Sequence, residues 1–392
     1  MTHIINQVVR PAFVGATILL GLGTTATLAQ NWAQIVPTDA PGCAKGTQFS
    51  FWAREGNPEK LAVIFPGGGA CWSGDSCDQS NPYSNYNATT GLQDNPTGEG
   101  GIFDFENPDN PLIDRSFVVI PTCNGDVFLG DSEPNYKTSG HGKPVEEYEL
   151  KHKGFANAMT AIDWATTQFP DAKDITIMGW SAGAIPSPLY THILADKYQD
   201  AKVSHVADGA GGYHVDDELD AAFEAWGTAN VLKQVKGFET LDPNNLSFED
   251  IYVRAAELNP NINFHQLNIA NDYTQEYFLR GLGVDNPNVH ERINKAHAYI
   301  NAKVPNFRTF TIGGRAENII GGYFDGFLNE SLVNNGKPYV VDRLYTYESN
   351  GVPALDWIND AIAHKNVANV SCVDCSTAEY NVDLQFDEDN DD

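Results

Sequence analysis

Basic residues are scarce in this chain of 392 residues, in which 24 Lys and Arg stand against 52 Asp and Glu. The resulting formal net charge is −28. A surface this acidic repels nucleic acids and anionic membranes, because both carry negative charge. The sequence also shows no local basic patch of the kind that a strongly anionic polymer would need. We therefore expect neither a nucleic acid partner nor an anionic membrane surface.

Long apolar runs are confined to the N-terminus. Arg10 precedes an apolar stretch over residues 11–29, and this stretch ends in Thr27-Leu28-Ala29, with small residues where a signal peptidase reads. Glycine, proline and threonine interrupt the stretch and no basic stop-transfer segment follows, which favours a signal over the alternative of a membrane anchor. The sequence predicts a signal peptide over residues 1–29, cleaved after Ala29, a secreted or periplasmic protein, and no membrane span.

Cysteine is infrequent as well. In an exported protein, six cysteines form a plausible set of three disulfides, although the sequence leaves their pairing open. Cys372 and Cys375 have the spacing of a redox motif but lack its strand-to-helix setting, which favours a structural role. No histidine stands at finger-like spacing from a cysteine pair, so we expect no zinc site. The six residues are Cys43, Cys71, Cys77, Cys123, Cys372 and Cys375.

The order of predicted elements indicates one large α/β domain. No obvious linker divides the chain, so the domain is expected over residues 30–378, followed by an acidic tail over residues 379–392. Strands alternate with helices, which predicts a mostly parallel sheet flanked by helices. We predict strands over residues 47–54, 61–65, 117–121, 175–178, 202–207, 264–269 and 307–312, and helices over 155–169, 246–258 and 354–363.

Three further features of this pattern are specific enough to test. The first two predicted strands are separated by the turn-like Gly56-Asn57-Pro58, which favours a leading hairpin. Residues 76–110 are dense in Asn, Gly, Pro and Asp, which is typical of a long loop. Residues 216–260 have helical spacing, so we expect a helical insertion that could cover the site.

The most informative motif is Gly179-Trp180-Ser181-Ala182-Gly183, because it follows an apolar strand and precedes a segment compatible with a helix. In a G-x-S-x-G elbow the serine sits on a sharp turn whose flanking glycines prevent a steric clash. The alternative is a plain turn of small residues. The context favours Ser181 as a nucleophile.

A serine nucleophile needs N–H donors for the oxyanion that forms when it attacks an acyl carbon. The glycine-rich segment over residues 67–69 follows a predicted strand, as in the oxyanion loops of esterases. Gly69 and Ala70, with Ala182 after the serine, are therefore the predicted oxyanion hole. A phosphate-binding loop is the alternative, but such a loop requires a lysine and the start of a helix, and this segment has neither.

Carboxylates follow two later strands. In α/β-hydrolases the acid and the histidine come after the serine in chain order. Asp272 follows the predicted strand over residues 264–269 and could orient an imidazole, although it could instead cap the next helix. Asp208 follows another predicted strand, and it could support the elbow structurally rather than serve as a catalytic residue.

Several segments together resemble the pectin acetylesterase family, which includes the Notum-type carboxylesterases. The resemblance covers most of residues 60–360 and implies an α/β-hydrolase fold, ester hydrolysis without metal or other cofactor, and substrates that often carry acetyl groups on polysaccharides. Ser181 matches the family's nucleophile and Asp272 its acid. The matching segments are Gly67 to Trp72, Cys123 to Val127, Gly130-Asp131, His152 to Phe155, Trp180 to Gly183, Asp208 to Gly211, Asn350 to Val352 and Asp356-Trp357.

The chain departs from the family at the catalytic histidine. Where the resemblance places that histidine, the sequence has Glu317, or Asn318 with a one-residue slip. A carboxylate with a pKa of about 4 is a poor proton relay at neutral pH, and an amide cannot serve as a base. Histidines elsewhere could replace it: His214 after a glycine-rich turn, His290 and His297 in a polar helix where solvated positions are expected, and His364 at the end of the last helix.

Two functions remain open. The first is a secreted serine carboxylesterase that hydrolyses small-acyl esters, expected to be acetyl esters on a glycan, with Ser181, Asp272 and Glu317 as catalytic residues. The second is a degenerate hydrolase that binds glycan or lipid in the old cleft. Longer acyl groups are also possible, because Trp72, Phe128 and Trp180 could line an apolar pocket or could be core. The sequence leaves the oligomeric state open.

Overall fold

The computed structural model describes residues 32–139, 144–213, 219–321, 332–334, 337–339 and 342–380. The predicted signal peptide, His214 and residues 381–392 of the predicted acidic tail lie outside these ranges. Glu379 and Tyr380, the first residues of that predicted tail, form a strand that pairs with residues 347–348 and so belong to the folded domain.

Strands account for most of the predicted apolar runs. The strands of the described residues are β1 (Ala33–Ile35), β2 (Phe51–Arg54), β3 (Asn57–Phe65), β4 (Arg115–Val119), β5 (Asn135–Lys137), β6 (Glu147–Glu149), β7 (Asp174–Trp180), β8 (Lys202–Asp208), β9 (Phe264–Ile269), β10 (Phe307–Ile312), β11 (Leu332–Asn334), β12 (Lys337–Tyr339), β13 (Tyr347–Ser349), β14 (Val352–Pro353), β15 (Val370–Ser371) and β16 (Glu379–Tyr380).

Helices separate these strands. The predicted helical insertion is present as α3, α4 and α5, and its neighbour in the sequence, β9, follows it directly. The helices of the described residues are α1 (Gly154–Gln168), α2 (Ser187–Lys197), α3 (Asp220–Trp226), α4 (Thr228–Gln234), α5 (Phe248–Leu258), α6 (Tyr273–Gly281), α7 (Val289–Lys303), α8 (Arg343–Thr346) and α9 (Ala354–Ile362). None of them combines the length and apolar composition that a membrane crossing requires.

One large sheet dominates the fold, and it runs in the order β1-β2-β4-β3-β7-β8-β9-β10-β15. All neighbours from β4 to β15 pair in parallel, which confirms the predicted mostly parallel sheet. Buried apolar residues cover both faces of this sheet. Because the carboxyl ends of parallel strands meet at one edge, the loops after β3, β7, β8, β9 and β10 converge there.

The predicted leading hairpin is wrong. β4 lies between β2 and β3, so that Trp52 faces Val119 in an antiparallel pair and Val63 faces Val118 in a parallel pair. The residues of β4 are buried, and a buried strand needs hydrogen-bonded neighbours on both sides. Two apolar runs joined by a turn do not show whether a later strand will separate them.

Three disulfides are present, as the cysteine count predicted. They join Cys43 to Cys123, Cys71 to Cys77 and Cys372 to Cys375. The second fixes the loop that follows the glycine-rich segment after β3. The third holds a structural turn, because the Cys375 carbonyl accepts hydrogen bonds from Gly314 and from the Asn271 side chain.

Candidate active site

Ser181 occupies a sharp turn at the end of β7. Its φ of 50° lies in the left-handed region that non-glycine residues avoid. A Cβ atom at Gly183 would lie 1.9 Å from the Phe65 carbonyl oxygen, and one at Gly179 would lie 2.3 Å from the Gly183 carbonyl oxygen. Glycine is therefore required on both sides of the serine. The turn has the strand, the strain and the close packing of a nucleophile elbow.

The glycine-rich segment after β3 runs beside this turn. A Cβ atom at Gly67 would lie 2.9 Å from Ser181 Cβ and 3.4 Å from Ser181 Oγ. Further along, Gly69 has a φ of 70° and pairs with Tyr86 in an isolated antiparallel bridge. The segment thus passes close to the serine and is fixed by the long loop that follows it.

That bridge determines which N–H groups can reach a substrate. Ala70 N donates to the Asn85 carbonyl at 3.0 Å, and the N–H of residue 87 donates to the Gly68 carbonyl at 2.8 Å. In such a pair the polar groups of the residue between, here Gly69, point away from the partner segment. In the described part of the chain, the Gly69 N–H has no hydrogen-bond acceptor and is free to bind a substrate oxygen. The Ala70 N–H is engaged, so the geometry disfavours its predicted place in an oxyanion hole.

Ala182 supplies a second N–H at the site. It lies in the 3₁₀ turn Ser181–Gly183, in which the first N–H that bonds back is that of Ala184, 3.0 Å from the Ser181 carbonyl. The first N–H groups of a helical turn have no partner within that turn. Gly69, Ala182 and Ser181 all line the same apolar cavity.

Asp272 is fully buried at the start of α6. Its Oδ1 accepts from Thr274 N at 2.8 Å and Gln275 N at 3.0 Å, and its Oδ2 accepts from Gln275 Nε2 at 3.0 Å. The capping alternative is therefore realised. Burial raises the pKa of Asp272, and the nearby charge of Asp208 acts in the same direction.

Asp208, at the end of β8, forms hydrogen bonds with the loop that follows β10. Its Oδ2 accepts from Ile319 N and, at 2.9 Å, from Ile320 N. These residues belong to the loop after β10 that also carries Glu317 and Asn318. Asp208 thus supports the loop that carries Glu317, whereas its position in the sequence suggested a buttress for the elbow.

Glu317 and Asn318 have different surroundings. Glu317 is buried and lines the same cleft as Ser181. A Cβ atom at Gly209 would lie 2.7 Å from the Glu317 carbonyl oxygen and 3.7 Å from Asp272 Oδ2, so both acidic residues flank this glycine. Asn318 is buried, and its carbonyl accepts from Arg343 Nη1 at 3.0 Å. Of the two candidates for the histidine position, Glu317 is the one that lines the cleft.

His297 is not solvated, in contrast to the expectation for a polar helix. Its Nε2 lies 2.9 Å from Gln266 Oε1 and 3.3 Å from Asn268 Nδ2. Burial lowers the pKa of His297 to about 3. The ring is neutral at all ordinary pH values and is held by the polar side chains of β9. It therefore has a structural role.

His364 and His290 also lie away from Ser181. His364 Nε2 is 3.7 Å from Asp174, which begins β7 and so lies at the opposite end of the strand from the serine. His290 lies beside the Cys372–Cys375 disulfide. Among the described lining residues of both cavities that contain Ser181, none is a histidine. His214 lies outside the described residues.

Two cavities meet at Ser181. The first has a volume of about 400 Å³, including its open mouth, and lies between the glycine-rich segment, the turn at Ser181 and the helical insertion. Of the aromatic residues whose place the sequence left open, Trp72 lines this cavity, whereas Phe128 belongs to the core. Its walls are almost entirely apolar. The remaining apolar side chains are those of Ala70, Val127, Ile185, Tyr213, Leu219, Ala222, Trp226, Phe248, Phe278 and Leu282.

The second cavity is an open cleft of about 1630 Å³, including its mouth, on the other side of the serine. We call it the polar cleft. One wall is the long loop, through Asn85, Asn87, Gln93 and Asp94, and another wall is the start of α6. The rest of its lining consists of Pro66, Gly67, Gly68, Gly69, Pro82, Ser84, Pro121, Trp180, Ser181, Tyr273, Thr274, Tyr277, Phe278 and Glu317.

The fold agrees with comparisons to known proteins. A family model described as Pectinacetylesterase matches residues 31–292, more than half of the chain. The chain belongs to the pectinacetylesterase family. The resemblance predicted from the sequence is thereby confirmed, and membership assigns the chain to the ester hydrolases. No curated protein sequence matches it.

Among solved structures, that of the Wnt deacylase Notum from Drosophila is similar to this chain. The TM-score is 0.56 with 15% identity, over 86% of this chain and 95% of that chain. At this identity the likeness shows the fold, and it confirms the predicted α/β-hydrolase architecture. Family and fold both fit the convergence of loops at the carboxyl edge of the sheet.

Sequence reasoning missed the walls of the polar cleft. The long loop over residues 76–110 was predicted, but none of its residues was singled out, since its Asn, Asp and Gly content indicated turns. Asn85 and Asp94 come to the site only through contacts that cross the fold, such as the bridge between Gly69 and Tyr86. The Cys71–Cys77 pair beside the glycine-rich segment was the signal that this loop folds back onto it.

Proposed function

We propose that this protein is a secreted serine carboxylesterase in which Ser181 attacks the acyl carbon of an ester. The observation that carries this proposal is the strained serine at the junction of an apolar cavity and a polar cleft. The cavity would hold the acyl group and the cleft the alcohol. Acetyl esters on a polysaccharide are the expected substrates of a chain in this family.

Glu317 is the proposed proton acceptor. When Ser181 Oγ bonds to the acyl carbon, its proton passes to the Glu317 carboxylate, and the carbonyl π-electrons move onto oxygen. The N–H groups of Gly69 and Ala182 stabilise that oxyanion. Collapse of the intermediate breaks the ester C–O bond, and the proton leaves with the alcohol. Water then attacks the acyl-serine by the same steps and releases the acid.

Asp272 is the proposed supporting acid. Two buried carboxylates close together cannot both ionise readily, and one of them tends to hold a proton. Because burial raises the pKa of Asp272, that residue is suited to remain protonated while Glu317 acts as the base. This arrangement is weaker than a histidine relay, so the proposal predicts slower turnover than that of an enzyme with a complete triad.

The apolar cavity supports a second candidate substrate, an ester with an acyl group longer than acetyl. Each buried CH₂ contributes about 0.8 kcal/mol, or roughly a fourfold gain in kcat/KM, until the cavity is filled. A series of p-nitrophenyl esters from acetate to octanoate distinguishes the candidates. If kcat/KM falls steadily as the acyl chain grows beyond acetate, the enzyme is specific for acetyl esters.

The central experiment compares wild type with Ser181→Ala on chromogenic acetate, with Ser376→Ala as a control at an exposed serine outside both cavities. Equal rates for wild type and Ser181→Ala would defeat the proposal. The alternative, a catalytically impaired protein that binds glycan or lipid in the cleft, is tested with a serine-directed phosphonate. Rapid labelling of Ser181 would exclude that alternative.

Export is also part of the proposal. The N-terminal apolar stretch supports it, and so do the three disulfides, because such bonds persist in oxidising compartments. The N-terminal residue of the mature protein, read by mass spectrometry of culture supernatant, would test cleavage after Ala29.

A further inference from the structure

The polar cleft contains acid and amide groups but no described cation. None of its described lining residues is Lys, Arg or His. Two of them are carboxylic acids, Asp94 and Glu317, and both are buried. A carboxylate group of a substrate in this cleft would therefore meet like charge without a compensating partner.

Two arginines that contact α6 are engaged outside the polar cleft. Arg280 and Arg315 lie on either side of Glu276, at 2.9 Å and 3.2 Å, and they line a separate pocket with it. They are therefore committed to another surface, and the net charge of −28 adds a repulsive field around the whole molecule.

The polar groups that remain are those that bind hydroxyl groups. Asn85, Asn87 and Gln93 offer amides, each of which both donates and accepts hydrogen bonds. Asp94 Oδ2 accepts from Gly91 N at 2.7 Å, and the residue lines the cleft wall. Burial raises the pKa of Asp94 to about 6, so this group is an anion at pH 8.

Aromatic side chains complete the cleft. Tyr277, whose hydroxyl donates to the Tyr83 carbonyl, connects α6 to the long loop across the cleft, and Trp180 and Tyr273 contribute to its walls. Amides and aromatic rings together match a sugar, which presents hydroxyl groups at its rim and C–H groups on its faces.

We propose that the polar cleft binds the alcohol part of the ester as an uncharged polyol, a neutral acylated saccharide, and that it rejects polyuronates. This inference rests on the proposed function and narrows its substrate class. Asp94 is the specificity-determining residue of the cleft, because its carboxylate repels an anionic sugar and accepts a hydrogen bond from a neutral one.

The test compares acetylated xylo-oligosaccharide, which is neutral, with acetylated oligogalacturonide of the same length, at pH 8 and low salt. We expect kcat/KM to be at least tenfold higher for the neutral substrate, with a smaller difference at high salt because salt screens the repulsion. Asp94→Lys should raise the rate on the uronate and lower it on the neutral sugar. Asp196→Lys, at an exposed position outside the cleft, makes the same change in net charge and should not reverse the preference.

Binding gives a readout that does not need catalysis. With Ser181→Ala, titration calorimetry should show tighter binding of deacetylated xylo-oligosaccharide than of oligogalacturonate. Equal or tighter binding of the uronate would overturn the inference. If binding follows the expected order while no chromogenic ester is hydrolysed, the proposed function fails and the assignment of the cleft stands.

Discussion

Replacing Gly67 by alanine tests the geometry of the nucleophile most directly. The new Cβ would lie 2.9 Å from Ser181 Cβ, 3.4 Å from Ser181 Oγ and 3.3 Å from the Trp180 ring. Carbon atoms in contact sit about 3.5–4.0 Å apart, so one side must move by roughly 1 Å. Gly67 does not have a positive φ, so alanine brings no backbone strain of its own. The whole effect is therefore steric.

The serine cannot yield without a loss of activity. Gly183 already packs against the Phe65 carbonyl, and Trp180 is buried, so neither neighbour of the serine has room to move. A displacement of about 1 Å costs roughly 10²-fold in rate. The overpacking itself should lower the free energy of unfolding by about 1–3 kcal/mol. We thus expect a folded protein with about 1% of the wild-type kcat.

The assay is kcat on chromogenic acetate, with urea denaturation to confirm folding. Gly281→Ala is a matched control, because its Cβ would lie 3.6 Å from the Trp72 ring, an ordinary contact. That variant should keep nearly full activity. A folded Gly67→Ala protein with wild-type kcat would refute the reasoning, since it would show that the added methyl group does not displace Ser181 Oγ from its active position.

Other variants test the carboxylates and the disulfides. Glu317→Gln should lower kcat by about 10²–10⁴-fold, and Glu317→His should raise it above wild type near pH 7, as measured in pH–rate profiles. Asp208→Ala removes the acceptor of two N–H groups and should cost about 1.5–3 kcal/mol in urea denaturation together with a fall in kcat. Cys43→Ser with Cys123→Ser opens a link across 80 residues and should cost about 4 kcal/mol by the same assay. The pKa of Asp94 rises from 3.8 to about 6 on folding, so the folded state holds its proton longer and stability falls as pH rises through that interval. Asp94→Asn should flatten this fall by about 2 kcal/mol, measured as the free energy of unfolding at pH 4 and 7. In each case an unchanged value contradicts the assigned role.

Local sequence patterns predicted the elements well wherever a buried strand is bounded by polar residues. Residues 264–269 and 307–312 match β9 and β10, because the apolar residues of both strands are fully buried between parallel neighbours. The hairpin failed because strand pairing is a long-range property. Nothing near Gly56 shows that β4, about 60 residues later, will lie between β2 and β3.

In the candidate site too, local features were predictable from the sequence and long-range contacts were not. The sharp turn at Ser181 was predictable because its strand, glycines and helix are contiguous in the chain. The engagement of the Ala70 N–H was not, because its acceptor, Asn85, lies in a loop without regular structure. His297 looked solvated because its own helix is polar, whereas its partner Gln266 comes from a strand about 30 residues earlier.

The strain retained at Ser181 bears on the choice between an esterase and a binding protein. A φ of 50° at a non-glycine residue costs of order 1–3 kcal/mol and persists only where the surroundings enforce it. Here Gly179 and Gly183 enforce it through contacts that no other residue would allow. A protein that only bound a ligand would gain nothing from aiming one hydroxyl at the junction of two cavities. The strained turn, the Gly69 and Ala182 N–H groups and the buried Glu317 therefore support catalysis with a carboxylate in place of the histidine.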